Sequence, residues 1–329
     1  MNNSASEILE QLQSAKNVLI NMDTRTDFDA LGCSVVFSKF LDTRGIQNKV
    51  IHANKIKPTF EGIFSYSNIK QETDISTEDL TKYDYVIFLD SGSKSHISVK
   101  EGYELPINVK TINFDHHSTN ESFGTYNYVF KLGSCSSVLY KFFNEIKFET
   151  PNEYFEILSM GLLTDTGFFK YDSCTSFEFR FAADMIDRGV SIAERISKLS
   201  SYEHIDQIKY KELVYRNLSV NKEKKYAYSL VTLSEIKSAG IDMDKVFVRH
   251  SDLIKYIIET DFSFVISETD SNPKYFEVSF RSKTPDIDVK KYAQALGGGG
   301  HITGAGAKLY DATSINDALL KVLSIIESN

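Results

Sequence analysis

Val109-Lys110-Thr111-Ile112-Asn113-Phe114, followed at once by Asp115-His116-His117, is the stretch on which the fold turns. The run alternates apolar and polar residues as a half-buried strand does, which puts one carboxylate and two imidazoles at the strand's C-terminal edge. Open α/β sheets bind their ligands at that kind of edge. A second segment, Gly297-Gly298-Gly299-Gly300-His301, stands far away in sequence. Glycine loses more chain entropy on folding than any other residue, so four in a row are not expected in an ordinary strand or helix. They are expected where backbone must come close to a partner such as a phosphate. Together the two segments point to phosphate-ester chemistry.

Working outward, Val18 to Ile20, Lys49 to His52 and Tyr85 to Leu89 read as further apolar strands, and Ala30 to Thr43 as a helix closed by Gly45. Ser4-x-x-Glu7 is a capping box opening a helix before the first strand. Strands this apolar, alternating with helical stretches, predict a parallel sheet covered on both faces. Helical periods follow over Ser136–Ile146, Asn152–Leu163 and Ser176–Arg188, and Gly189 marks a stop. Ile192–Leu199 and Tyr202–Val214 read as helices that connect two domains. Beyond them Tyr226–Thr232, Phe262–Ser267 and Tyr275–Arg281 alternate as strands, with helices near Leu253–Ile258, Val289–Leu296 and Ile315–Ile326. The expected architecture is α/β: a parallel-sheet domain over residues 1–188, a helical linker over 189–215, and a smaller α+β domain over 216–329.

Lys+Arg of 37 against Asp+Glu of 45 gives a net charge of -8, which argues against long duplex nucleic acid as a partner. A small anionic substrate stays compatible, because metals or a few cations reverse the sign inside a cleft. The cysteines Cys33, Cys135 and Cys174 form no C-x-x-C pair, so buried reduced thiols and a cytoplasmic setting are expected. No run reaches the ~18 apolar residues of a membrane span, and no membrane partner is expected.

Five sites in the first half carry oxygen or imidazole ligands: Asp23, Asp27-x-Asp29, Asp90, Asp115-His116-His117 and Asp165. Singly, each fits a turn or a helix cap. Three of them end apolar strands, however, and one parallel sheet would bring those ends to one edge. Carboxylates gathered there without cations would oppose one another's ionisation. Divalent ions remove the conflict, and an oxygen-rich set with imidazole suits Mn²⁺ or Mg²⁺ better than zinc.

The motifs Asp27-Phe28-Asp29-Ala30-Leu31-Gly32, Asp90, Asp115-His116-His117, Gly161-x-x-x-Asp165-Thr166-Gly167, Ser279-Phe280-Arg281-Ser282 and Gly297 to His301 occur in that order. With them the chain resembles the DHH phosphoesterase family, in the branch with a DHH-associated C-terminal domain, over nearly its whole length. The resemblance implies two divalent ions, Mn²⁺ first and Mg²⁺ as the alternative. Asp27 and Asp90 would bind the first, and Asp29, Asp90, His116 and Asp165 the second, with Asp90 bridging. It also implies that His117 faces the phosphate and that Asp115 orients a metal-ligating imidazole. Two cations roughly 3.5–4 Å apart can share a hydroxide and aim it at phosphorus.

Members of this length resemble bacterial oligoribonucleases that also dephosphorylate 3′-phosphoadenosine 5′-phosphate. Relatives of similar layout hydrolyse cyclic di-AMP or its linear product, and a nucleotide-binding protein with impaired catalysis is a third reading. The expected partners are short oligoribonucleotides or small nucleotides, with a homodimer allowed. The family places histidine four residues before the first Asp of D-x-D; this chain has Asp23 there, expected either as an oxygen ligand to the first ion or as a solvent-exposed turn residue beside a weakly bound first ion. In the C-terminal part, Gly298, Gly299 and Gly300 with His301 are expected to cradle an anion, and Arg281 to pair a terminal phosphate.

Overall fold

Thr111–Asp115 is a strand whose five residues are all buried, and its neighbours build one parallel sheet around it. The computed structural model describes residues 2–54, 56, 72–201, 204–246, 250–271 and 274–328. Two compact units result, residues 1–202 and 203–329.

In the first unit, helix α1 (Ala5–Gln13) opens on the reciprocal Ser4–Glu7 capping box read from the sequence. It leads into β1 (Asn17–Met22), α2 (Phe28–Asp42), β2 (Gln47–Ile51), β3 (Tyr85–Leu89), β4 (Thr111–Asp115) and β5 (Tyr126–Val129). The strand order is β2-β1-β3-β4-β5, and every pairing is parallel. Helices α3 (Cys135–Glu145), α4 (Asn152–Asp165), α5 (Ser176–Asp187) and α6 (Ile192–Ser201) complete the unit. The edge strand β5 was not read from the sequence, because four residues carry too little period to declare a strand.

Strand alternation divides the core. Val18, Ile20, Met22, Ile87, Leu89, Ile112 and Phe114 face the helices, while Leu19, Ile51, Val86 and Phe88 face the other side. Each such side chain stabilises the fold by about 1.5–3 kcal/mol on full burial. Both faces are covered, as near-continuous apolar strands require. Among the described residues the second face is closed by Ile75, Leu80 and Ile97, in or beside short 3₁₀ turns, rather than by long helices.

In the second unit, α7 (Ile205–Arg216) precedes β6 (Leu218–Asn221), β7 (Tyr226–Val231), α8 (Leu233–Ser238), β8 (Phe262–Glu268), β9 (Phe276–Ser282), α9 (Val289–Ala295), β10 (Gly299–His301), β11 (Gly304–Leu309) and α10 (Ile315–Ser328). The mixed sheet runs β10-β11-β9-β8-β7-β6, with only β7 and β8 parallel. Of the two helices read as a connection, α6 packs Ile192 and Leu199 on the first core, and α7 buries Tyr210, Leu213 and Val214 in the second unit.

Two expectations are corrected. The helix over Leu253–Ile258 is a 3₁₀ turn that ends at Ile254. The carbonyls of Ile257, Ile258 and Thr260 instead accept from the ammonium of Lys283. The glycine run also enters a strand, with Gly299, Gly300 and His301 paired antiparallel to Gly306, Ala305 and Gly304. The reason is contact with its own hairpin: a Cβ on Gly298 would lie 2.1 Å from the Gly306 carbonyl oxygen, and one on Gly300 2.6 Å from the Ala305 Cα.

Cys33 and Cys135 are buried and unpaired with any disulfide partner, and burial pushes the Cys33 thiol up to about 12. Cys174 is partly exposed rather than buried. Among the described residues no helix is long and apolar enough to cross a membrane.

Candidate metal centre

Register carries three of the expected ligands to one edge. Met22 pairs with Leu89 and Leu89 with Phe114, so Asp23, Asp90 and Asp115 leave adjacent strands at the same level. The order β2-β1-β3 makes the crevice between β1 and β3 the switch point where crossovers diverge, the expected ligand position in a doubly wound sheet. Asp90 turns there with a φ of 62°, in the left-handed region that aspartate and asparagine tolerate better than other side chains. Its backbone N–H donates to the Phe114 carbonyl at 3.0 Å, which ties the turn to β4.

The D-x-D pair is divided by task. Asp27 caps α2, its Oδ1 accepting from the Asp29 and Ala30 N–H groups, both at 3.0 Å. Asp29 reaches across to the start of α3. Its Oδ2 accepts the Cys135 N–H at 2.5 Å, and its Oδ1 the Ser136 N–H at 2.9 Å and the Ser136 hydroxyl at 2.5 Å. A helix N-terminus favours an anion at that place. Gly161 on α4 makes the room, since a Cβ there would lie 2.2 Å from Asp29 Oδ1 and 2.5 Å from Ser136 Oγ.

His116 is presented as a ligand. Its Nδ1 lies 3.2 Å from the Leu132 carbonyl, which can only accept, so Nδ1 carries a proton and Nε2 is turned to the acids. Nε2 is 3.3 Å from Asp90 Oδ1 and 3.3 Å from Asp165 Oδ2. Both His116 Nε2 and Asp90 Oδ1 are buried without a hydrogen bond. Asp165 is the last residue of α4, where the helix dipole disfavours a carboxylate unless a cation is present. Asp29, Asp90, His116 and Asp165 each bring one ligand atom within 4.8 Å of the others. Three oxygens, one imidazole of set tautomer and two orphaned buried atoms fit a divalent ion.

Charge repeats the argument. Burial raises Asp27 to about 7, with the carboxylates of Asp165 and Asp29 adding to it. Burial and Asp165 raise Asp29 to about 6 against the opposing pull of His116 and Ser136. Burial lifts Asp90 well above the carboxylate range, although His116 works against it. For His116 burial opposes the charged ring, but the neighbouring carboxylates of Asp165 and Asp90 outweigh it and hold the imidazole well above its usual value. Ion-free, the cluster retains protons where a cation would sit.

His117 is built differently. Its Nδ1 meets Asp115 Oδ1 at 2.7 Å, and its backbone N–H donates to Asp115 Oδ2 at 3.2 Å. Asn120 donates to the same Oδ2 at 2.5 Å. Burial pushes the fully buried Asp115 up, but these hydrogen bonds and the neighbouring imidazoles leave it below the usual carboxylate range. Asp115 therefore orients His117, while the Leu132 carbonyl orients His116. Gly92 admits the His117 ring, for a Cβ there would lie 3.1 Å from the His117 Cβ.

Asp23 ends β1 but is absent from the groups of close ligand atoms found among the described residues, as is Asp27. Arg25 holds it instead, with Nε 3.1 Å from Oδ1 and Nη2 3.3 Å from Oδ2. His96 Nδ1 lies 3.7 Å from its Oδ2.

In the second unit, Arg281 is 13% exposed and its Nε donates to Asp252 Oδ1 at 3.0 Å. Gly304 faces it across the β9–β11 ladder, and a Cβ at Gly304 would meet the guanidinium at 3.1 Å. His301 is exposed on β10. Gly298 and Gly300 face β11, whereas a Cβ at Gly299 would meet nothing within 4 Å.

Sequence reading missed Arg25, Gly92, Asn120, Leu132 and Ser136. The helix-start run Ser134-Cys135-Ser136-Ser137 was a usable signal for the last of these. Leu132 acts through its carbonyl, which no sequence identity betrays. Gly161→Ala is expected to displace Asp29, weakening Mn²⁺ binding about 10–100-fold and costing about 1–3 kcal/mol through overpacking. Unchanged metal titration and melting in this variant would remove Asp29 from the site.

The chain matches the DHH family, N-terminal domain, over residues 17–162 and the DHHA1 domain over residues 223–328. It is 22% identical to the probable bifunctional oligoribonuclease and PAP phosphatase NrnA of Streptococcus mutans, over 97% of this chain and 98% of that one. It is 26% identical to the bifunctional oligoribonuclease and PAP phosphatase NrnA of Thermus thermophilus, over 98% and 92%. Its fold is that of an exopolyphosphatase-related protein from Bacteroides fragilis, with a TM-score of 0.87 at 19% identity over 98% and 95% of the two chains. With both domains matched in order and the acid–histidine cluster at the sheet edge, this chain belongs to the DHH family with a C-terminal DHHA1 domain and is a hydrolase of phosphate esters.

Proposed function

We propose that this chain degrades very short RNA oligonucleotides to mononucleotides and removes the 3′-phosphate of 3′-phosphoadenosine 5′-phosphate, using Mn²⁺ held by Asp29, Asp90, His116 and Asp165. The observation that carries the reading is His116, whose proton sits on Nδ1 against Leu132 while Nε2 faces Asp90 and Asp165. A bound divalent ion supplies an activated water and offsets charge growing on the phosphate oxygens. The chain's own residues do the rest. Asp29, fastened to the start of α3, keeps the ligand set in place before an ion arrives. Asp115 meets His117 Nδ1 at 2.7 Å and fixes the orientation of that ring, which is to face a phosphate oxygen. Arg281 and His301 capture the terminal phosphate or base of a short substrate. Over Lys245–Lys291 eight Lys+Arg meet eight Asp+Glu, a balance that suits gripping one short end rather than tracking a long strand.

The relatives named as oligoribonuclease and PAP phosphatase support this substrate class. The deciding experiment compares rates on a diribonucleotide, 3′-phosphoadenosine 5′-phosphate and cyclic di-AMP with Mn²⁺ and with Mg²⁺. Preference for the first two supports the reading, and preference for cyclic di-AMP replaces it with the di-adenylate alternative. No metal-dependent turnover on any of them leaves a binding protein.

Substrate capture is separable from chemistry. Arg281→Ala and His301→Ala are each expected to weaken binding by about 1.5–3 kcal/mol, the worth of a charge-assisted hydrogen bond. Metal content should not change. Loss of Mn²⁺ from either variant would contradict a role confined to substrate.

A further inference from the structure

Among the described residues, Asp23 and Asp27, expected on the first of the two ions, join no group of close ligand atoms. Asp23 is 3% exposed, and a carboxylate so buried needs a partner. Arg25 Nε lies 3.1 Å from its Oδ1 and Nη2 3.3 Å from its Oδ2, while the Arg25 backbone N–H donates to Oδ1 at 2.8 Å. Both oxygens are therefore taken by a planar fork that arginine presents and lysine cannot. Asp27 has its Oδ1 committed to the first turn of α2. What remains is Asp27 Oδ2 and Asp90, and Asp90 is already among the four ligands of the complete set.

We propose that Arg25 is the built-in cation of this site. Its guanidinium, seated on Asp23, takes the part of the first metal and binds a non-bridging oxygen of the substrate phosphate, leaving one divalent ion on Asp29, Asp90, His116 and Asp165. The phosphate contact rests on the hydrolase reading above, whereas the ion count does not.

Three physical points support this. The Arg25 side chain is 56% exposed although Asp23 is buried, so donors remain for an incoming anion. The guanidinium is a fixed positive charge set 3.1 Å from the buried carboxylate of Asp23. The cation thus feels the acids a first ion would serve, and its own charge repels such an ion. His96, the other group near Asp23, stands farther off, with Nδ1 3.7 Å from Oδ2. A guanidinium cannot lose a proton near neutral pH and cannot activate water. That task falls to the single ion.

The full chain, loaded with Mn²⁺ and freed of excess by gel filtration, is expected to hold one ion per chain. Its electron paramagnetic resonance spectrum should show the hyperfine pattern of isolated Mn²⁺. Two ions per chain, or an exchange-coupled pair, would overturn the proposal. Arg25→Gln releases both oxygens of Asp23 and is expected to raise the count to two; a folded variant still holding one ion overturns the assignment to Arg25. Arg25→Lys keeps the charge but loses the fork. Its count should stay at one while the KM for a diribonucleotide rises about tenfold, the loss of one charge-assisted bond. An unchanged KM would overturn the phosphate contact. One ion per chain without diribonucleotide hydrolysis upholds the ion count and instead refutes the substrate reading.

Discussion

Asp90→Asn is expected to cut hydrolysis by about 10³-fold or more, because a bound ion contributes several kcal/mol at the transition state and each ~1.4 kcal/mol is a factor of ten. Asp90, with His116, is shared by both groups of close ligand atoms, and its Oδ1 is 3.3 Å from His116 Nε2. Asparagine is the informative replacement. The φ of 62° at this position is tolerated by asparagine, whereas alanine adds a backbone cost of about 1–2 kcal/mol that would confuse chemistry with folding. The amide keeps the shape and removes the charge that neutralises an ion. kcat/KM on a diribonucleotide, bound Mn²⁺ per chain and the melting temperature should be read together. A folded Asp90→Asn protein with near-wild-type turnover would refute the metal centre.

The second large effect is on stability. Without divalent ions, the melting temperature should fall as pH rises from about 5 to 8, and Mn²⁺ should restore it more at pH 8 than at pH 5. Asp27 and Asp29 have folded values of about 7 and about 6 against an ordinary 3.8, and Asp90 and His116 also lie well above their ordinary values. A raised folded value means that the folded chain binds more protons than the unfolded chain in that window. The stability these protons confer is complete below the unfolded values and is lost as pH climbs through the folded ones. Carboxylates shifted down, such as Asp115, act at lower pH, and His96, whose ring is shifted down inside this window, offsets only part of the loss from the four raised groups. An ion takes the deprotonated ligands, so its binding strengthens where protons have left. At an ion concentration of 100 Kd the gain is about 2.7 kcal/mol. A melting temperature that is flat or rises over this range in the ion-free protein would show that the carboxylates are not held together as described.

Local pattern carried the reading of β1, β3 and β4, because strand alternation is a property of neighbouring residues. Their apolar runs also announced a parallel sheet, and a parallel sheet puts Asp23, Asp90 and Asp115 on one edge whatever the loops do. Asp27 as a helix cap was legible for the same reason, being a bond to residues two and three positions on. The glycine run was misread as unfit for a strand, because its reason for being glycine lies in β11 across the hairpin.

Sequence by itself therefore determined the parallel sheet, the edge at which its acids gather and the kind of cation they call for, since periodicity and residue chemistry are local. Only tertiary structure decided which acids meet. Asp29 is held by α3, 106 residues away at Cys135, and the His116 tautomer is set by a carbonyl 16 residues on. Asp23, placed at the same edge by its strand, is withdrawn from the close ligand set by Arg25, because a guanidinium two residues away satisfies a buried carboxylate before any ion arrives.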